Sequence, residues 1–284
     1  MTVANIGLTA LLWLLCTLTI PGPSEAEIFF DSNFESCNVG TGNDFPCEGW
    51  DDFGIEKIVA PDHNSIEITN SLSFSGSKSV KGTFVNAVGG INNPSIWRNH
   101  TSTKHYFFRF ATRQSPGFKI ATNGHTKMVR FLDTTFGYPI PVLVYRYGTY
   151  QIVMEAPYDQ ADAYLLNSGV VPSQTSWDQV EVELLLNTPG QSNGLIRLWV
   201  NGVLRGETLN RQWIGPTPTS KCGNGNNTCP STWSVKATQI FIQAGLGTIH
   251  YDRFAVGNTR IGLTTGQTSS DSTPPAIPSG VRAP

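Results

Sequence analysis

Residues 184 to 204 read LLLNTPGQSNGLIRLWVNGVL, and they leave a folded chain few options. A turn segment, Thr188 to Gly194, leads into an alternating run, Leu195 to Val200, and then at once into Asn201-Gly202. Asn-Gly favours a two-residue type I′ turn, which needs positive φ at both positions and so excludes most side chains. Ile196, Leu198 and Val200 fall on one face of such a strand; Leu195, Arg197 and Trp199 fall on the other. The stretch reads as a half-buried antiparallel hairpin strand carrying a cation and an aromatic ring on its second face. Trp199 is expected to pack rather than to bind.

The same grammar runs through the chain. No helical period persists beyond the N-terminal apolar run, and short alternating segments are separated by Gly, Pro, Asn and Ser clusters. Candidate strands are 28–30, 66–68, 79–84, 105–112, 127–132, 141–147, 150–156, 177–186, 195–200, 234–243 and 249–257. Many strands joined by hairpin turns imply an all-β fold of two stacked antiparallel sheets. Charged residues make up only 14% of the chain, as suits a loop-rich extracellular β protein. The formal net charge of −2 gives no long-range attraction to nucleic acid, and no nucleic-acid partner is expected.

Three segments follow from composition. Leu8 to Ile20 is an apolar run of signal-peptide length, short for a bilayer span, and Ser24-Glu25-Ala26 supplies a small-x-small cleavage pattern. Residues 1–26 are therefore read as a signal peptide, although no Lys or Arg precedes the run; the rival is a membrane anchor. The mature chain is expected to be exported, secreted and free of the membrane after cleavage. Residues 27–263 form the β domain, and a monomer is expected. Residues 264–284, TTGQTSSDSTPPAIPSGVRAP, have a Ser/Thr/Pro-rich linker composition.

Four cysteines follow the signal segment, Cys37, Cys47, Cys222 and Cys229. In an oxidising compartment the simplest pairing is Cys37–Cys47 and Cys222–Cys229, each pinning a Gly/Asn-rich loop. Zinc is the rival, but the spacings C-x9-C and C-x6-C do not match structural zinc knuckles.

TSWDQVEVELLLNTPGQSNGLIRLWVNG, SFSGSKSVKGTF and IHYDRFAVGNTRIG together resemble the concanavalin A-like jelly roll. Among its members they are most similar to secreted bacterial polysaccharide lyases of the heparin lyase I type. The ending DSTPPAIPSGVRAP resembles the run into a fibronectin type III module. The resemblance spans most of residues 27–262 and implies the fold. It implies activity less closely, because lectins, lyases and hydrolases share this architecture.

Period-two reading then proposes a glycan-binding face. In HYFFRFATR, Tyr106, Phe108 and Phe110 are apolar on one side, which leaves His105, Phe107, Arg109 and Arg113 on the other. Arginine clamps carboxylates bidentately, so Arg109 is the candidate for neutralising a uronate and Arg113 for binding it. In NGHTKMVRFLD, His125 and Lys127 are candidates; the resemblance places a lysine of these lyases where Lys127 stands. Strand parity puts Lys127 and Arg130 on opposite faces unless a bulge intervenes. With Met128 and Leu132 inward, Lys127 is the outward choice, and Arg130 is left in conflict.

In PVLVYRYGTYQIVMEA, Val142, Val144, Ile152 and Met154 read as inward, leaving Tyr145, Tyr147, Gln151 and Glu155 on the groove side. β-Elimination at a uronate needs a neutralised carboxylate, a base for the C5 proton and an acid for the leaving oxygen. His105 or His125 is the candidate base, Tyr145 or Tyr147 the candidate acid, and Gln151 a substrate-binding amide.

Two functions thus stand: a lyase for uronate-containing polysaccharides or oligosaccharides, and a non-catalytic carbohydrate-binding module. Hydrolysis is less favoured, since the paired carboxylates it needs are missing from any Glu-x-Asp-x-x-Glu run. Glu181 and Glu183 read instead as the solvated side of a convex strand. No cofactor motif appears, and the metal site is open. Asp31, Asp44, Asp51 and Asp52 offer the oxygen ligands structural calcium takes, without an ordered spacing.

Overall fold

In a computed structural model of the chain, residues 27–41, 45–53, 63–85, 94–122, 124–133, 140–155, 164–217, 221–222, 227–228 and 232–264 are described. The N-terminal apolar run, the Ser/Thr/Pro tail, Cys229, Asp44 and the side chains of Asp52, Glu155 and Cys222 lie outside this description. All regular structure among the described residues is strand. In chain order these are β1 (Ile28–Ser32), β2 (Gly40–Thr41), β3 (Asp51–Phe53), β4 (Ser65–Thr69), β5 (Ser79–Phe84), β6 (Ser95–Thr103) and β7 (His105–Gln114). There follow β8 (Lys119–Ile120), β9 (His125–Leu132), β10 (Ile140–Arg146), β11 (Thr149–Glu155), β12 (Tyr164–Asn167) and β13 (Asp178–Leu185). The last are β14 (Gly194–Val200), β15 (Val203–Arg211), β16 (Lys221–Cys222), β17 (Asn227–Thr228), β18 (Val235–Gln243) and β19 (Gly245–Gly257).

Two antiparallel sheets form a sandwich. The larger runs β15-β14-β13-β7-β19-β5-β4-β2, with β1 and β8 also paired to β19; the smaller runs β12-β11-β10-β9-β18-β6-β3. Between them lies an aromatic core that includes Tyr106, Phe108, Phe110, Phe131, Tyr150 and Phe254, all fully buried. Phe110 and Phe254 stack at 5.5 Å with nearly parallel rings. Full burial of each such ring contributes roughly 1.5–3 kcal/mol, which makes this layer the main cohesive element. A separate cluster, Leu132, Val142, Val144 and Ala237, with Trp97 and Val153 against it, marks the outer side of the smaller sheet.

The hairpin expected at Asn201-Gly202 is present: their φ angles are 53° and 77°, and Val200 pairs with Val203. A second hairpin uses Tyr147-Gly148, with φ of 45° and 86°. This turn shifts the pairing of β10 and β11 by one residue from the sequence expectation. Val142 faces Val153 and Val144 faces Gln151, so Leu143 and Tyr145 go inward with Ile152 and Tyr150. A one-residue slip exchanges the two faces of a strand. β6 has no counterpart among the expected strands, because its second half, NHTST, has no apolar alternation. The Cys37–Cys47 disulfide is present and closes the loop between β1 and β3.

Candidate functional site

The outer face of the smaller sheet gathers polar and aromatic groups through one irregularity. In β9, Lys127 lies opposite Val144, and Val129 lies opposite Leu143, so Met128 is an extra residue against β10. Met128 and Val129 both turn into the core. Such a bulge reverses the parity beyond it. Arg130 therefore emerges opposite Val142 and Gln239, on the same face as Lys127, while Leu132 turns outward instead of inward. The conflict between Lys127 and Arg130 in the regular-strand reading is resolved by this residue.

Phe241 sits beneath both cations. The Arg130 guanidinium lies 3.7 Å from its ring centroid and Lys127 Nζ 5.8 Å. Arg130 Nη1 donates to Gln239 Oε1 (3.3 Å), and Gln239 Nε2 donates to Ser95 Oγ (2.9 Å). This chain of contacts holds Arg130 across β9, β18 and β6.

At the other end of β9, His125 lies opposite Arg146. The Tyr147 ring folds back on Gly124, where a Cβ would stand only 2.8 Å from it. Arg146 covers that ring at 4.6 Å and donates from Nη2 to the Tyr147 hydroxyl (3.1 Å). Gln151 Nε2 donates to the Arg146 carbonyl and to Thr149 Oγ1, each at 3.1 Å. His125, Lys127, Gln151 and the exposed Tyr147 thus belong to one surface. Arg130, Arg146, Gln239 and Phe241 join them. Phe241 was legible in the alternation QIFIQ, which sets Gln239, Phe241 and Gln243 against Ile240 and Ile242. A hollow of about 400 Å³, lined by Lys104, Asp133, Trp233 and Lys236 among others, lies near the opposite end of this sheet.

The remaining expected residues are elsewhere. β7 belongs to the larger sheet, so His105, Arg109 and Arg113 point away from the smaller sheet altogether. Two packed sheets are about 10 Å apart, and one glycan cannot touch Arg109 and Lys127 together. Arg109 is also covered: it is 6% exposed and donates to the Gly262 carbonyl (3.2 Å). His105 Nε2 lies 2.8 Å from Glu183 Oε1. Tyr145 packs into the core edge against Phe118, ring centroids 6.2 Å apart, and burial raises its hydroxyl pKa. Parity along β7 was read correctly; sheet membership was not readable from it.

Glu181 and Glu183 are buried, not solvated. Glu183 Oε2 accepts from Arg197 (3.2 Å), whose Nε reaches Glu207 (3.0 Å). Glu181 accepts the backbone N–H groups of Ile261 (2.7 Å) and Gly262. Burial pushes the Glu181 carboxyl up, against the opposing pull of those N–H groups and of Arg260 and Arg109. Residues 260–264 thereby strap the outer face of the larger sheet, with Arg260 over the buried Trp199 ring at 5.0 Å. Among the described residues no group of three or more His, Cys, Asp or Glu is placed to hold a metal.

No family model matches the chain, and no curated protein matches it. Solved structures do. The endo-β-1,4-glucuronan lyase of the fungus Trichoderma reesei is 14% identical, with a TM-score of 0.50 over 82% of this chain and 96% of that one. The cellulose induced protein Cip1 is 17% identical, with a TM-score of 0.52 over 83% of this chain and all (100%) of its own. The alginate lyase Aly36B is 12% identical, with a TM-score of 0.51 over 83% and 98%. The chain has the β-sandwich fold of these structures, two of which are polysaccharide lyases. At such identities the likeness is one of fold.

Proposed function

We propose that this chain is a secreted polysaccharide lyase that cleaves uronate-containing glycans on the outer face of the smaller sheet. The observation that carries the proposal is the β9 bulge, which brings Lys127 and Arg130 to one face beside His125. Two cations over one aromatic ring suit a sugar carboxylate: they neutralise it and so make the C5 proton removable. His125 is the candidate base for that proton. The electron pair forms the C4–C5 double bond as the C4–oxygen bond breaks, and Tyr147 is the candidate acid that protonates the leaving oxygen. Gln151 and Gln239 supply amide contacts to hydroxyl groups. The Cys37–Cys47 disulfide and the glucuronan and alginate lyases among the structural neighbours support secretion and a polysaccharide substrate.

One observation favours the alternative of a non-catalytic binding module. Tyr106, Tyr145, Tyr150 and Tyr251 all contribute to the interior, so Tyr147 is the single exposed tyrosine among the described side chains. Incubation with polyglucuronate, alginate, pectate and heparin separates the readings. A lyase produces unsaturated ends, read by their ultraviolet absorbance, and Lys127→Ala lowers the rate of that signal by on the order of 100-fold. Retardation in a glycan-containing gel with flat absorbance for every polymer would establish the binding module instead.

A further inference from the structure

The outer face of the larger sheet carries a second constellation, away from the strap. Across four strands the register aligns Glu67, Lys81, His250 and Arg113 in one row. Directly opposed residues on antiparallel strands hold their Cβ atoms about 4.5–5.5 Å apart, so each side chain touches the next. Lys81 pairs with Glu67 at one end. At the other end no described residue makes a hydrogen bond or ion pair to the Arg113 guanidinium. Between them His250 is only 7% exposed, and neither ring nitrogen has a hydrogen-bond partner. A buried imidazole with two unanswered nitrogens is costly, and such a group in a native fold calls for an explanation. The Trp177 ring meets His250 edge-on at 6.4 Å and is itself met by Phe74 at 5.9 Å.

We propose that Lys81, His250, Arg113 and Trp177 form a second glycan subsite, which takes an acidic sugar through its carboxylate or sulfate group. The partly exposed indole supplies an apolar surface on which a sugar ring can stack. Arg113 and Lys81 supply the donors, and the anion answers the His250 nitrogens. Burial, with Lys81 and Arg113 adding to it, lowers His250 from its ordinary 6.5 to about 4 in the free protein. The other charges facing this row are Glu67, already engaged by Lys81, and Asp252, two residues along β19. Asp252 accepts the N–H groups of Phe74 and Ser75. A bound anion reverses the local sign of charge, so His250 gains a proton on binding and its titration midpoint rises. The subsite is independent of the elimination chemistry and lies on the opposite side of the sandwich.

The test follows the His250 ring by NMR, assigned with His250→Gln, during pH titrations. The probes are inorganic sulfate, a uronate oligosaccharide, a sulfated oligosaccharide and a neutral cello-oligosaccharide. An acidic oligosaccharide should move the midpoint up by about one unit or more, while the neutral one leaves it in place. The uronate and sulfated arms show which anion is recognised. Lys81→Gln and Arg113→Gln, both at partly exposed positions, should each weaken binding roughly tenfold. Lys127→Ala should leave the His250 response intact. The proposal is overturned if neither acidic oligosaccharide moves His250, if only inorganic sulfate does, or if Lys127→Ala removes the response as fully as Arg113→Gln.

Discussion

The two outer faces of the sandwich both carry arginines, and the fold treats them oppositely. On the larger sheet Arg197 lies between Glu183 and Glu207, and Glu181 is capped by residues 261–262 with Arg260 and Arg109 beside it. Each of these charges is matched and covered. On the smaller sheet Lys127 and Arg130 both lie over the Phe241 ring, and Arg130 also donates to the neutral amide of Gln239. Cations matched by buried carboxylates serve stability. Cations set on an aromatic ring at a sheet surface are, on the function proposed above, the groups that meet a sugar carboxylate.

This contrast breaks first at Glu183. Removing one partner of a buried pair costs up to about 3–5 kcal/mol, and without Glu183 the buried Arg197 keeps only the more exposed Glu207 as its ion-pair partner. Glu183→Ala should therefore lower the urea unfolding midpoint sharply, whereas Lys127→Ala should change stability by less than about 1 kcal/mol. Equal small shifts would dissolve the distinction between the faces.

Turnover sharpens it next. Lys127→Ala and Arg130→Ala should each reduce elimination on a polyuronate by on the order of 100-fold, the usual loss when a group stabilising transition-state charge is removed. Arg109→Ala should act through unfolding instead, since its guanidinium holds the strap. A comparable loss of turnover from Arg109→Ala in a fully folded protein would return the site to the larger sheet.

Two glycines of the smaller sheet give a finer test. Gly124 has φ of +85° and the Tyr147 ring against it, while Gly148 has φ of +86° and open space. Gly148→Ala should cost about 1 kcal/mol for its backbone alone. Gly124→Ala should cost more and also reduce turnover, because the ring must move. Matching effects on stability and rate would show that the position of Tyr147 is immaterial.

A further test concerns pH. Burial, reinforced by Arg98 and resisted by the Thr101 carbonyl contact, lowers His100 to about 4. Between that value and the ordinary 6.5 the unfolded chain binds the proton that the folded chain refuses, so stability rises with pH across this window. His250 acts in the same sense. Asp252, raised to about 6 by burial against its backbone donors, acts in the opposite sense between 3.8 and 6. Urea midpoints at pH 4.5 and 7 should differ less in His100→Gln than in the parent, and an undiminished difference would remove His100 from the account.

Legibility divided along similar lines. The all-β sandwich, the Asn201-Gly202 hairpin, the inward set of β7 and the Cys37–Cys47 pairing were readable, because each depends on neighbours within a few residues. The hairpin between β10 and β11 was readable but its turn at Tyr147-Gly148 was not, since tyrosine rarely takes positive φ; the one-residue slip exchanged the faces of β10, while those of β11 were read correctly. β6 escaped notice because its polar half lacks the alternation that marks a strand.

Local chemistry in the sequence therefore determined the strands, most of their inward faces and the residue types suited to an acidic glycan. Only the tertiary structure decided which of those residues meet. A period of two says that Arg109 and Lys127 each point away from a core; it carries no information on which sheet supplies that core. The extra residue at Met128 likewise becomes visible only when β9 is laid against β10 and β18, because a bulge is a property of pairing between strands distant in the chain. Sheet membership and register are set by long-range packing, and they moved the candidate site to the smaller sheet.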